Sequence, residues 1–579
     1  MVKRIPLMVI VFVGVMLAAD SAYSQFVLDP IPGLPGVSAG SLAWGDYDSD
    51  GRLDFLLSGS FSVSLWRNTV GGFSNVTASV APGLPGTYDG AVAWGDFDND
   101  GRLDFLITGL TNSASGVGVA QVWRNTGSGF TNLPIAGLSG VAESSVVWGD
   151  FDGDGRLDFL ITGTTNGLSS GALSQWWRNT DSGFTNVPIP GLPGVYFGSI
   201  AAADFDNDGR LDFLITGITN SFASGAMTTE LWRNTGNGFT NVPIPGLAGV
   251  YVSSIAWGDF DNDGLLDFLM EGLSGNTFTT QLWRNTGNGF ASVPVPGLAG
   301  IADGSLAWAD YDNDGRLDFL ITGLTNGVTE ISEVWRNTGS GFTNVPIPGL
   351  PGNFDNALAW GDYDNDSQLD FLLAGTISGN VVSQLWHNTT LESNSPPAAP
   401  AGFSATVAGT TALLKWNAPA DDHTPAAGLS YNVRIGTTPG GSDIVSAPAL
   451  TNGVLLVPQM GNVRNGSATF NQLTPGRTYY WSVLAVDTSF AGSPFAAEQQ
   501  FTTSPLLINP VRHANGVFEF DFTNRTVLDF DILVATNVTL PSTNWTNLGP
   551  ATSVGGGLYR FTDDDATSQL QRFYSLREQ

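Results

Sequence analysis

At 579 residues the chain is longer than one ordinary domain, and 73 Gly, 17 Trp and 35 Phe with only 13% charged residues describe a turn-rich, all-β protein. A formal net charge of −31 argues against attraction to nucleic acid or to an anionic membrane surface. Cysteine is absent, which excludes disulfides, thiolate metal sites, a cysteine nucleophile and lipidation on an N-terminal cysteine.

Lys3 and Arg4, the apolar run "IPLMVIVFVGVMLAA" and the small-residue stretch "SAYSQ" read as an export signal over residues 1–24, cleaved near Ser24. The run is short for a membrane span, and no second apolar span follows. The mature protein is expected to be secreted or at the cell surface, and monomeric.

Residues 25–390 repeat. An acidic loop starts at residues 46, 96, 150, 204, 259, 310 and 362, a period of 50 to 55 residues. Each unit also carries W-R/H-N-T, starting at Trp66, Trp123, Trp177, Trp232, Trp283, Trp335 and Trp386. In the second unit "AVAWGDF", "LDFLITG", "AQVWRNT" and "GFTNLPI" read as four strands between glycine-rich turns, with no helical periodicity. Seven such units predict a seven-bladed β-propeller. The last unit ends at "LWHNTT" without a fourth strand, and "QFVLDPIPGLPG" from Gln25 to Gly36 matches the missing piece. Phe26 to Ile31 is therefore expected to complete the seventh sheet and close the ring, leaving no exposed edge.

The loop D-x-D-x-D-G-x-x-D places carboxylates at positions 1, 3, 5 and 9, with glycine at 6 allowing a sharp turn. Arg52, Leu265 and Gln368 alternate at position 7, as expected if only the backbone carbonyl is used there. Dense hard oxygens select calcium over zinc or copper. Position 12 is apolar, as in Leu57 and Ile107, so the loop is not an EF-hand. It resembles the FG-GAP/VCBS repeat, as in the propeller of integrin α subunits. The resemblance implies calcium at seven loops: at Asp46, Asp48, Asp50 and Asp54; Asp96, Asp98, Asp100 and Asp104; Asp150, Asp152, Asp154 and Asp158; Asp204, Asp206, Asp208 and Asp212; Asp259, Asp261, Asp263 and Asp267; Asp310, Asp312, Asp314 and Asp318; and Asp362, Asp364, Asp366 and Asp370. Ser367 replaces glycine in the last loop and predicts a weaker site there. Integrin function does not transfer, because the "FG" and "GAP" segments are only loosely echoed.

These loops hold 28 of the 53 acidic residues, and seven Ca²⁺ would bring −31 to −17. Seven near-identical closed sites predict structural stapling rather than catalysis. Trp44, Trp94, Trp148, Trp257, Trp308 and Trp360, each two residues before a loop, are expected to pack between blades, with a smaller contact at Ala202.

Strand order puts the acidic loops on one face and the variable loops on the other, where a binding surface is expected. Its candidates are Tyr88, Asp89, Glu143, Tyr196, Phe197, Tyr251, Asp303, Phe354 and Asp355. Only His387, His423 and His513 occur, none beside a catalytic partner in sequence, and no hydrolase or phosphate-binding motif is found. The leading expectation is a non-catalytic calcium-binding scaffold for recognition or adhesion, with a protein or carbohydrate ligand. The alternative is a secreted polysaccharide lyase or hydrolase using acidic pairs such as Asp89 with Glu143.

Residues 391–400 are a Ser/Pro/Ala linker. Residues 401–504 resemble a fibronectin type III module through Trp416 in "ALLKWNAP" and Tyr479 in "LTPGRTYYWSVLAVD", although residues 436 to 470 are long for it. Such modules usually act as spacers. Residues 505–579, with "NWT" and "FTD…RFYSL", resemble the C-terminal β-domain of exported bacterial proteins.

Overall fold

The structure is a computed structural model that describes residues 25–112, 116–165, 171–219, 226–504, 507–523, 530–536, 544–555, 558–566 and 572–578. The expected export signal lies outside these residues, as do parts of three variable loops. The chain is all-β, as expected. Unit 2 forms strands Val92–Gly95, Asp104–Asn112, Val117–Asn125 and Phe130–Leu133, paired antiparallel in chain order. The first strand is shorter than its apolar run because the acidic loop takes over at Asp96. Units 1, 5 and 6 repeat this four-stranded order. Units 3 and 4 share one sheet through Val195–Tyr196, which bridges Leu173 and the Ile218–Thr219 edge.

In unit 7, strands Phe354–Gly361, Asp370–Ile377 and Asn380–Asn388 are completed by Phe26–Asp29. Phe26 pairs with Asn388 and Asp29 with Leu385. This strand stops two residues before the expected Ile31, because Pro30 has no N–H to continue the ladder.

Each unit is built on the phenylalanine of its "DFL". Phe55, Phe105, Phe159, Phe213, Phe268, Phe319 and Phe371 are all 0% exposed. Phe105 stacks on Trp123 at 6.0 Å and meets Trp94 edge-on at 5.5 Å. The junctions add directional bonds: Trp94 Nε1 donates to Ala43 O of unit 1 at 3.1 Å, and Asn125 Nδ2 donates to Tyr47 O at 2.9 Å. The same pair of bonds joins unit 7 to unit 1, from Trp44 to Ala359 O at 3.2 Å and from Asn68 to Tyr363 O at 2.7 Å. The individual sheets are open, and cross-unit bonds link the last of them to the first.

Ala202 does not leave a loose junction. Unit 3 carries Trp176 where neighbouring units have Val122 or Leu231, and its ring meets Phe239 of unit 4 edge-on at 5.5 Å. Phe239 occupies the place of Phe130, which Trp94 contacts in unit 2. The missing tryptophan is thus supplied from the preceding unit. One expectation needs correcting: Thr77–Val80 forms a single helical turn in unit 1. Here "TASVAPG" stands where other units have a four-residue segment such as "PIPG", so no proline opens the segment, and Asn75 Oδ1 accepts the Thr77 N–H at 3.1 Å.

Residues 401–502 form two three-stranded sheets, Ala401–Ala408, Thr411–Asn417 and Ser467–Phe470 in one, Ser430–Gly436, Thr478–Val486 and Gln499–Thr502 in the other. Trp416, Tyr431, Tyr479, Trp481 and Phe501 fill the space between them. Tyr479 Oη accepts the Thr474 N–H at 2.8 Å, which fixes the corner before its strand. The final unit packs Phe520, Phe522, Ile532 and Tyr559 between two further small sheets. Two of its strands, Leu507–Arg512 and Thr552–Gly555, were not evident in the sequence.

Candidate functional site

The acidic loops share one backbone design. Position 4 and position 6 both lie in the left-handed region, for example Asn99 at φ 55° and Gly101 at φ 83°, so the D-N-D-G order suits the turn. Asp96 then accepts the Asp100 N–H on Oδ1 at 3.0 Å and the Gly101 N–H on Oδ2 at 2.8 Å. Asp104 at position 9 accepts the amides of Asn125 at 2.7 Å and Phe97 at 3.2 Å. The loops are also linked to one another: Asn99 Nδ2 donates to Gly155 O at 2.9 Å, and Asn365 Nδ2 to Gly51 O at 3.0 Å.

Ser367 reproduces the position-6 turn at φ 68°, a conformation that costs a β-carbon roughly 1–2 kcal/mol. Ser367→Gly is therefore expected to stabilise the protein by about 1 kcal/mol, read from the urea midpoint. An unchanged midpoint would show that the last loop carries no strain.

The loop carboxylates come close together. Ligand oxygens of Asp46, Asp48 and Asp50 lie within 4.8 Å of one another, as do those of Asp96, Asp98 and Asp104, and of Asp204, Asp206 and Asp212. Burial first, then the neighbouring charges, pushes Asp54, Asp104, Asp158, Asp212 and Asp267 up to about 8. Burial likewise lifts Asp46, Asp96, Asp204, Asp259 and Asp310 to about 6, against the opposing pull of the loop amides.

The chain supplies counter-charges that the sequence reading missed. The arginine of W-R-N-T reaches the acidic loop of its own unit, as in Arg67 to Asp48 at 2.6 Å and Arg124 to Asp98 at 2.5 Å. The position-7 side chain is not idle either: Arg52, Arg102, Arg156, Arg210 and Arg316 pair with the position-5 aspartate. The invariant arginine after each tryptophan, replaced only by His387, was the available signal. His387 does meet an acidic partner in space, with Nδ1 3.1 Å from Asp370 Oδ1.

The arginines leave part of each loop unsatisfied. Arg67, Arg124, Arg233 and Arg336 take Oδ2 of Asp48, Asp98, Asp206 and Asp312. The Oδ1 atoms of those four aspartates are buried with no hydrogen-bond partner. A buried carboxylate oxygen without a donor is costly, and a hard cation inside the loop would satisfy it. The donor set therefore fits calcium.

The second module is no detached spacer. Its long segment after Gly436 runs across the acidic loops: Asp46 N–H donates to Leu456 O at 2.8 Å, Asn99 Nδ2 to Ile444 O at 2.8 Å, and Asn471 N–H to Gly153 O at 2.8 Å. Thr488 Oγ1 donates to Asp310 Oδ2 at 2.8 Å, and Ser489 Oγ to Asn313 Oδ1 at 2.7 Å. Arg464, 5% exposed, lies 2.9 Å from Asp259 Oδ2. The extra length of residues 436 to 470 supplies the docking contacts of Ile444, Leu456 and Arg464.

Breaking a buried ion pair leaves one charge stranded, at roughly 3–5 kcal/mol. Arg464→Met is accordingly expected to loosen the module, read as faster protease cleavage within residues 391–400. Unchanged cleavage would mean that the pair does not hold the interface.

On the opposite side, each unit enters its inner strand through one residue at positive φ: Ala39, Asp89, Glu143, Phe197, Val252, Asp303 and Asp355, between 48° and 58°. Backbone bonds join neighbours among six of them, Asp89 N to Ala39 O at 2.7 Å, Ala39 N to Asp355 O at 3.0 Å, Phe197 N to Glu143 O at 3.2 Å and Val252 N to Phe197 O at 2.6 Å. Five of the nine candidate surface residues thus occupy this one repeated position. Tyr88, Tyr251 and Phe354 each precede such a residue and are half-buried, and Tyr88 stacks on Phe61 at 5.0 Å. Tyr196 is 0% exposed and is a packing residue, which corrects its assignment to the surface. Asp89 and Glu143 share a side-chain hydrogen bond. Burial, then the Asp89 charge, pushes Glu143 up to about 10.

Among the described residues, no helix is long and apolar enough to cross a membrane. The FG-GAP-like repeat family matches residues 46–107, 110–161, 164–215 and 217–270. The T-cell immunomodulatory protein of Rattus norvegicus is 27% identical over 228 residues, 38% of this chain and 35% of that protein. Its Homo sapiens counterpart is 28% identical over 205 residues, 33% and 31% of the two chains. The matched region thus spans about a third of those relatives' length. Among solved structures, the six-bladed β-propeller lectin of Aleuria aurantia aligns with a TM-score of 0.33 at 10% identity, covering 55% of this chain and 99% of that one. A thermostable family-43 glycoside hydrolase aligns with a TM-score of 0.27 at 8% identity, covering 56% and 98%. The acidic-loop motif continues past residue 270 to Asp370. The chain is an all-β protein that carries FG-GAP-like repeats.

Proposed function

We propose that the chain is an exported, calcium-stapled recognition scaffold. In this reading residues 25–390 are a seven-bladed propeller closed by its first strand. A fibronectin type III-like sandwich caps the calcium face, and a small β-domain follows. The observation that carries the calcium reading is the buried Oδ1 of Asp48, Asp98, Asp206 and Asp312, left without a donor although arginine takes the other oxygen. The capped face is occupied by the chain itself, so recognition falls to the opposite face, to the positive-φ residues and their flanking loops. There aromatic and acidic residues vary from unit to unit on a constant frame. A protein or carbohydrate ligand fits that mixture. Export rests on the sequence of residues 1–24.

The test is a glycan and protein array probed with the full chain, alongside Asp355→Asn and Asp46→Asn. A ligand signal lost only in Asp355→Asn supports recognition by that opposite face. A signal lost only in Asp46→Asn places it elsewhere. A polysaccharide-active enzyme is the second reading, favoured by the hydrogen-bonded Asp89 and Glu143. In a retaining or inverting glycosidase two carboxyls act as acid and base or nucleophile. New reducing ends or unsaturated products from oligosaccharides would establish that reading, and binding without turnover would set it aside.

A further inference from the structure

The seventh acidic loop breaks the charge pattern of the others. Five loops place an arginine at position 7, and six units follow the repeated tryptophan with an arginine that pairs with its loop. Unit 7 has Gln368 and His387 at those two positions. Gln368 is turned to the linker: its Nε2 donates to Glu392 O at 2.7 Å, and its Oε1 accepts the Thr390 hydroxyl at 2.5 Å. Among the described residues no Lys or Arg forms an ion pair with Asp362, Asp364, Asp366 or Asp370, and His387 is the basic group that meets them.

The fit to calcium is also poorer here. No oxygen of these four aspartates is both buried and without a hydrogen-bond partner, in contrast to Oδ1 of Asp48, Asp98, Asp206 and Asp312. The second module docks on loops 1, 2, 3, 5 and 6, and among the described residues it makes no hydrogen bond to loop 7. Asp364 and Asp366 are exposed.

What this loop gains is a nitrogen donor. His387 Nδ1 lies 3.1 Å from Asp370 Oδ1 and 3.7 Å from Asp364 Oδ2, and ligand atoms of the three residues all fall within 4.8 Å of one another. Donors ~2.0–2.2 Å from a tetrahedral ion stand roughly 3.4 Å apart, so both separations suit a shared ion. Asp370 is oriented from behind, because its Oδ1 accepts the Asn388 N–H at 2.7 Å and its Oδ2 the Tyr363 N–H at 3.2 Å. One lone pair of Oδ1 is left towards the imidazole. A proton on Nδ1 points at one acceptor, whereas an ion serves both carboxylates at once. Imidazole joined to carboxylates suits a borderline ion such as zinc, while calcium takes oxygen ligands.

We propose that the seventh loop is a surface site for a divalent ion of the zinc class, selected over calcium and bound by His387 Nδ1, Asp364 and Asp370, with solvent completing the shell. The site stands whether or not the other six loops hold calcium.

The test is the metal content of the full chain after equilibrium dialysis against trace zinc in excess calcium. Wild type is compared with Asp364→Asn and with His387→Arg, which restores the residue of the other six units and should therefore fold. Wild type is expected to retain one zinc equivalent and each variant none. A chain that binds no calcium but keeps its zinc would sink the stapling reading and support this one, so the two fail separately. Cobalt(II) in place of zinc gives a second readout, a visible absorption band expected in wild type and absent from His387→Arg. No zinc on wild type would overturn the proposal and leave His387 as a protonated substitute for arginine. Zinc that persists in either variant would overturn it too.

Discussion

Removal of residues 25–31 is expected to leave a protein that no longer melts cooperatively as one ring and that self-associates. Phe26 is 0% exposed and sits among Tyr311 at 5.6 Å, Trp360 at 5.9 Å and Phe371 at 5.1 Å. Truncating such a phenylalanine to alanine alone costs roughly 3–5 kcal/mol. The deletion also frees the Asn380–Asn388 edge, whose ladder from Leu385 to Asn388 is satisfied by Phe26–Asp29. An unpaired edge is a template for another chain. Size-exclusion chromatography with a thermal melt checks both effects, and Phe26→Ala separates lost packing from the lost edge. A monomer with an unchanged melt would show that the first strand is dispensable.

Chelation is expected to produce the other large effect. Extracellular calcium modules bind with Kd of ~0.1–1 mM, so at ~1 mM calcium each loop gains roughly 0.4–1.4 kcal/mol, or roughly 3–10 kcal/mol over seven loops. That is comparable with the whole stability of a typical domain. The arginines temper this without replacing the ion, because they reach Oδ2 of Asp48, Asp98, Asp206 and Asp312 and leave Oδ1 unmatched. A melt in chelator should therefore fall well below one in calcium. Magnesium should restore less than calcium, since it demands a stricter octahedral shell. Identical melts with and without calcium would contradict stapling.

The repeated features were legible because repetition separates pattern from noise. The spacing of the acidic loops and of W-R/H-N-T located the strands. The match between Gln25–Gly36 and the later "GFTNVPIPGLPG" segments anticipated the strand that pairs with Asn380–Asn388. Relations between distant segments were harder to read. Arg464 and Asp259 lie 205 residues apart, and nothing local to either marks them as partners. Trp176 filling the space left by Ala202 depends on two units being viewed together. Tyr196 carries the same aromatic character as Tyr88 and Tyr251, yet only its place between two sheets makes it core.

Two charged surfaces of the repeat units thus differ in makeup. The first is repetitive, arginine-lined and covered by the following module. The second is varied and lacks basic ion-pair partners among the described residues. The division follows from strand order, which sends alternate turns to opposite faces.

The measurement that bears most directly on this account is an anomalous difference map from crystals of the full chain grown in calcium. The account predicts peaks inside the acidic loops, beside Oδ1 of Asp48, Asp98, Asp206 and Asp312. A map with no peak in any loop, and with Arg67 and Arg124 alone lying across the carboxylates, would contradict it.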